Sequence, residues 1–276
     1  MKRYYSCHKP YTTRKRLHLL YRLSFFIAKL FTKKSEIRFK EPLPEGEGVL
    51  LLSNHARDYG GLGFAFNYKR KFRAWINAGL LFVKRFPDTL EKDTFPNAKG
   101  FKRKLLRLLA YIIAPPVTAF FRAPEGIPTY FDMKVRVSFE KTVETLRSGI
   151  DVLIFPESEF VREDKKYINR IKLGFLYSLD AYYKETGKLP KIYPVYCCKD
   201  LHIISIGNPI EYDPEAQVRA NKEDFGIRLE NAVEGLALEL PPHRVTPNGE
   251  VPEGVEILPP KGLKGFLFGD EHIKKD

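Results

Sequence analysis

Ser53-Asn54-His55-Ala56-Arg57-Asp58-Tyr59-Gly60-Gly61 follows directly on the apolar run Val49 to Leu52. That run is short, continuous and bounded by polar residues, so it reads as a buried strand. A strand that ends in Asn54-His55 holds an imidazole at the rim of a sheet. Asp58 comes three residues after His55. If a helical turn starts at the histidine, both side chains fall on one face and the carboxylate reaches the ring. A histidine oriented by a carboxylate acts as a general base near neutral pH. The same residues read equally as a polar strand-to-helix turn, with Asn, Asp and Gly serving backbone geometry and Asp58 as a helix N-cap.

On either side, strand-like and helix-like segments alternate. Phe72 to Asn77, Val117 to Arg122, Val152 to Phe155, Ile192 to Cys198 and His202 to Ile206 read as strands. Helical patterns cover residues 14–34, 132–147, 173–186 and 224–240, and the apolar run Leu105 to Ala114, which Pro115-Pro116 is expected to end. Such alternation predicts an α/β fold: a single domain with a mixed, mainly parallel sheet flanked by helices, plus an amphipathic N-terminal helix. Residues 1–40 are predicted as a basic membrane-associating segment and 41–240 as the α/β domain. Residues 241–276, rich in Pro and Gly, read as an extended tail over that domain, with a basic and apolar patch at Lys261 to Gly269.

The formal net charge is +13, and residues 1–40 hold twelve Lys or Arg against one acid, Glu36. Within 14–34, Lys15, His18, Arg22, Lys29 and Lys33 lie close to one face, and Leu and Phe residues fill most of the rest. A wide apolar arc with a cationic edge suits an anionic membrane surface. It also describes an ordinary core helix with a solvated basic stripe. Uninterrupted apolar runs long enough to span a bilayer are absent, and Arg22 and Lys29 break the N-terminal run, so neither a transmembrane helix nor a cleavable signal peptide is expected. None of the usual nucleic-acid modules occurs, which argues against nucleic acid as partner. The three cysteines, Cys7, Cys197 and Cys198, have neither disulfide-framework nor zinc spacing, and no metal-ligand cluster is apparent. A serine hydrolase is disfavoured because no Gly-x-Ser-x-Gly elbow is present.

Four segments stand in a telling order: Asn54-His55 with Asp58, Phe120-Phe121-Arg122, Phe155-Pro156-Glu157, and Tyr193-Pro194-Val195. They resemble the lysophospholipid acyltransferase superfamily, typified by 1-acyl-glycerol-3-phosphate acyltransferase. Its pattern is Asn-His-x4-Asp, an apolar strand ending in Arg, Phe-Pro-Glu-Gly-Thr-Arg, and a Pro-Val strand. Lys172-Leu173-Gly174 and Ile206-Gly207-Asn208-Pro209-Ile210 resemble further family segments, and the likeness covers roughly residues 45–215. The departures are specific. Gly60 stands where the family has its Asp, with Asp58 two positions early. Ser158 and Glu159 replace Gly and Thr, and Phe160 stands at the Arg position, with Arg162, Lys165 or Lys166 as nearby cations.

The resemblance implies an O-acyltransferase moving a fatty acyl group from an activated donor to a lysophospholipid or glycerol-phosphate hydroxyl. His55 would be the general base and Asp58 its orienting carboxylate. Arg122 would bind phosphate, and Asn54, Glu157 and Ser158 would shape the acceptor site. No cofactor or metal is implied beyond the donor as co-substrate: acyl-CoA, acyl carrier protein (acyl-ACP) or acyl phosphate. The implied setting is cytoplasmic, peripheral to the membrane, with an anionic membrane surface, a lysophospholipid and acyl carrier protein as partners. From the residues alone, Arg122 reads equally as half of an ion pair with a carboxylate such as Glu125 or Glu157. Glu157 also reads as a strand-end turn residue. The departures themselves fit a non-catalytic lipid- or acyl-carrier-binding protein on the same fold.

Overall fold

The computed structural model describes residues 15–95, 98–122, 125–130, 134–215 and 219–259. In chain order its elements begin with α1 (Lys15–Phe31), β1 (Glu36–Phe39), β2 (Leu50–Ser53), α2 (Asp58–Asn67), β3 (Phe72–Asn77), α3 (Phe86–Thr94) and α4 (Gly100–Arg122). There follow β4 (Ile127–Thr129), α5 (Val135–Arg147), β5 (Asp151–Ile154), α6 (Leu176–Thr186), β6 (Ile192–Cys198), β7 (Ile203–Ile206) and α7 (Arg219–Leu238). The chain divides into two compact units, residues 33–72 with 139–276, and residues 1–32 with 73–138.

In the first unit the strands run in the order β1-β7-β6-β2-β5. Among the described strands of this unit β6 and β7 pair antiparallel, and β1–β7, β2–β6 and β2–β5 pair parallel. This is the mixed, mostly parallel α/β arrangement predicted from the alternation of segments. All residues of β2, β5 and β6 are buried, as the continuous apolar runs of parallel sheets require. Asp151, the first residue of β5, is fully buried and holds the strand entry. Its Oδ1 accepts from Val49 N–H at 3.0 Å and Arg70 Nη2 at 2.8 Å, and its Oδ2 from Tyr68 O–H at 2.6 Å. Arg70 also donates to the carbonyls of Pro44 and Glu47, fixing the turn-rich connector before β2.

The C-terminal tail folds back on itself in this unit. Val245 N–H donates to Glu256 O at 2.9 Å and Leu258 N–H to Val245 O at 2.7 Å, closing the loop 245–258. Residues 1–14 and 260–276, with the Lys261 to Gly269 patch, lie outside the described residues, as do the side chains of Lys15, Leu17, His18, Leu20 and Phe31.

The second unit contains α1, α3, α4 and the parallel β3–β4 pair, with Trp75 opposite Ile127 and Asn77 opposite Thr129. Here one prediction is corrected. Pro115-Pro116 does not end a helix, and Val117 to Arg122 is not a strand; both lie inside the 23-residue α4. The buried stripe explains this: Leu106, Ala110, Ala114 and Thr118 recur every four residues straight through the proline pair. The carbonyls of the two prolines themselves accept side-chain hydroxyls. Thr118 Oγ1 donates to Pro115 O at 3.2 Å and Ser24 Oγ of α1 to Pro116 O at 3.1 Å. Phe120 then stacks on Phe25, with ring centroids 6.3 Å apart. As one helix, α4 is long and apolar enough to cross a membrane, which the run stopped at Ala114 was not. Arg122 closes α4, a cation in the last turn where the helix dipole favours it. The short elements β1, β4 and α3 carry no clear sequence period.

Candidate active site

His55 and Glu157 come from the carboxyl ends of β2 and β5, neighbouring parallel strands. In open α/β sheets this edge is where ligands bind. Asn54 is buried and completes the sheet beyond the last residue of β2. Its Oδ1 accepts from Cys197 N–H at 2.6 Å, and its Nδ2 donates to Cys197 O at 3.2 Å. A side-chain amide here substitutes for a backbone pair, so β2 stays joined to β6 while its main chain turns away. Cys197 itself is sealed: burial pushes its thiol up to about 12 and that of Cys198 up to about 11.

The chain then bends sharply. Ala56 and Arg57 both have positive φ, 41° and 53°, a conformation that costs an L-residue of order 1–3 kcal/mol. α2 begins at Asp58, so His55 lies before the helix, and the spacing that would put both side chains on one helical face does not apply. Asp58 holds the first helical position, not the N-cap; its side chain lies outside the described residues. Gly60 is needed where it stands. A Cβ there would sit 2.7 Å from Phe155 Cε1 and 3.0 Å from His55 O, whereas one on Gly61 would meet nothing within 4 Å. The half-buried His55 ring lies 5.6 Å from the Phe155 ring at 55°.

Glu157 is the pivot. Its Oε2 accepts from His55 N–H at 2.7 Å and its Oε1 from Asn169 N–H at 2.9 Å. Burial drives its pKa up to about 7, and the two N–H donors hold it back from rising further. Ser158 is buried too. Its N–H donates to Arg170 O at 2.7 Å, and its Oγ accepts from Phe160 N–H at 3.2 Å, a local turn cap.

The loop after β5 is fastened by features the sequence reading did not single out. On α7, Glu234 accepts from the N–H groups of Lys166 and Tyr167, both at 2.8 Å, and Glu230 from Ile171 N–H at 2.9 Å. Both acids are buried within the apolar stripe that also carries Leu229, Val233 and Ala237. Carboxylates inside an otherwise apolar helix face are the signal that marks them. Above this loop lies the tip of the C-terminal strap. Asn248 Nδ2 donates to the carbonyls of Glu157 and Ser158, at 3.0 and 3.2 Å. Asn169 Nδ2 returns bonds to Asn248 O and Glu250 O, and Arg57 Nε reaches Pro247 O at 3.2 Å. Of the nearby cations, Arg162 pairs with Asp164 and Glu230, and Lys165 with Asp164.

The first unit therefore brings Asn54, His55, Glu157 and Ser158 together at one sheet edge, with the backbone of Asp58 at the start of α2. Arg122 belongs to the second unit. His243, left out of the site at the sequence level, is a buried structural residue: Nδ1 meets Pro241 O at 2.8 Å, Nε2 meets Tyr196 Oη at 2.9 Å, and the ring stacks on Tyr167. No protein-family model matches the chain, and no curated protein sequence matches it.

Proposed function

We propose that the chain is an O-acyltransferase of the glycerolipid type, related to the lysophospholipid acyltransferases and working in the cytoplasm at the membrane periphery. The observation that supports it most is the bond from His55 N–H to Glu157. It links two of the four motifs whose order in the sequence carries the resemblance, and it fixes the backbone of the proposed base with a buried carboxylate. In this reading the His55 imidazole takes the proton from a glycerol hydroxyl of a lysophospholipid. The oxygen attacks the carbonyl carbon of an activated fatty acid, a thioester of coenzyme A or acyl carrier protein, or an acyl phosphate. The tetrahedral adduct collapses, the carbon–sulfur or carbon–phosphate-oxygen bond breaks, and the imidazolium returns its proton to the leaving group. The resemblance alone would give Asp58 the role of orienting acid and Arg122 that of phosphate ligand.

A second reading, a non-catalytic lipid- or acyl-carrier-binding protein, draws on a specific observation. Both Glu157 oxygens and Ser158 Oγ are already engaged by backbone N–H groups, and Arg162 is ion-paired. Purified protein offered lysophosphatidate with each donor class separates the two. Product from wild type and none from His55→Ala supports the enzyme. Lipid or carrier binding without turnover across all donors supports the binding protein.

A further inference from the structure

Two helix faces of the second unit are apolar and uncovered. On α4 the buried stripe Leu106-Ala110-Ala114-Thr118 is matched by an opposite row, Phe101, Leu105, Leu108 and Ile112. Phe101 is 81% exposed and Ile112 63%. The pattern recurs on α1. Tyr21, Ser24 and Phe25 engage the Pro116 and Phe120 end of α4, while Leu19, Leu23, Phe26 and Leu30 stay exposed. Soluble surfaces scatter their apolar residues singly; two aligned rows mark a binding face. The flanking charge has one sign. Neither helix contains an acid, and Arg22, Lys29, Lys99, Lys102 and Lys104 are all exposed.

We infer that α1 and α4 dock on an anionic lipid bilayer and lie in its plane, apolar rows sunk into the interface and lysines among the headgroups. The prediction of a basic membrane segment within residues 1–40 thus covers only half of the contact; α4 supplies the rest. The charge argues for lipid phosphate rather than for a second copy, which would set like charges against each other. Although α4 has the length and composition to cross, its surroundings argue otherwise. The buried stripe runs along the helix against protein. Arg107, two turns in, pairs with Asp88 and Glu91 of α3, and crossing would drag that cluster into hydrocarbon. The docking rests on these exposed faces and is independent of acyl transfer.

The experiment uses the full chain with vesicles of phosphatidylcholine alone or mixed with phosphatidylglycerol. Co-sedimentation with the mixed vesicles is expected, falling about tenfold in Leu108→Glu/Ile112→Glu. Leu238→Glu, an equally exposed leucine at the end of α7, is expected to bind as wild type. Depth is read from Phe101→Trp and Ile112→Trp, each in a Trp75→Phe background, with brominated lipids. These positions are eleven residues apart, roughly 16 Å along a helix. Equal, shallow quenching at both is expected. A depth difference approaching that distance would mean a crossing helix and overturn the proposal. So would sedimentation unaffected by the paired Glu substitutions, or a lipid-free dimer that those substitutions dissolve.

Discussion

The backbone N–H of His55 donates to Glu157 Oε2 at 2.7 Å, and the same carboxylate receives Asn169 N–H through Oε1 at 2.9 Å. One side chain thus fastens the ends of two strands. Glu157→Ala leaves two buried donors without acceptors, a loss of roughly 2–5 kcal/mol. Urea unfolding of wild type and variant measures it. A change within about 0.5 kcal/mol, the usual range of surface substitutions, would show that the bridge holds nothing.

The same carboxyl makes stability depend on pH. Its folded pKa, about 7, lies above the ordinary 4.5. Between these values the folded protein keeps a proton that the unfolded chain has released. The contribution is therefore complete below about 4.5 and lost as pH rises through 7, by roughly 3 kcal/mol. Burial raises Asp151 and Glu230 in the same direction. Thermal melts between pH 5 and 8 are expected to show a falling midpoint, with a flatter slope in Glu157→Gln. An unchanged slope in that variant would assign the effect to the other two acids.

Asn54 replaces a backbone pair, so both halves of its amide matter. Asn54→Ala orphans Cys197 N–H and O, at a cost of about 2–4 kcal/mol. Asn54→Asp keeps the acceptor but turns a second oxygen toward Cys197 O, and is expected to lose more than alanine does above pH 5. Denaturant midpoints of the pair at pH 5 and 8 test the order.

The two adjacent glycines of α2 are expected to respond oppositely. Gly60→Ala forces a methyl against the Phe155 ring and the His55 carbonyl, destabilising by about 1–3 kcal/mol. Gly61→Ala meets open space and gains up to about 1 kcal/mol of helix propensity. Equal effects in calorimetry would contradict the close approach of α2 to the site.

Asn248 ties the strap to the loop that carries Glu157. Asn248→Ala removes two donors from the strap tip without touching the sheet. Limited proteolysis is expected to cut within 245–258 several-fold faster, with global unfolding little changed. Cutting at the wild-type rate would mean that Arg57 and Asn169 suffice.

What was legible in the sequence follows from burial. The runs Leu50-Leu51-Leu52, Val152 to Ile154 and Ile192 to Cys198 are sheet centre, and continuous apolar runs announce that. Asn54, His55 and Glu157 were legible as punctuation after such runs. The edge strand Glu36–Phe39 was not, because three of its four residues face solvent and nothing selects their identity. The Val117–Arg122 misreading has a definite cause. A proline pair reads as a stop, but a buried stripe continuing at four-residue spacing outweighs it. Partners distant in sequence, such as Asn248 for Glu157 and Glu234 for Tyr167, leave no local trace, since their pairing depends on how the strap and α7 return to the sheet.

The sealed thiols of β6 give this chain an intrinsic clock. A cysteine reacts with maleimide only as the thiolate, and at pH 8 Cys197 and Cys198 are neither ionised nor in contact with reagent while the strand is in place. Each labelling event on Cys197 or Cys198, told apart from Cys7 by the peptide it marks, therefore records a moment when the central strand has left its neighbours. Counted over time by mass spectrometry, the labels give the opening frequency of the sheet on which His55 and Glu157 depend, with no probe added to the site.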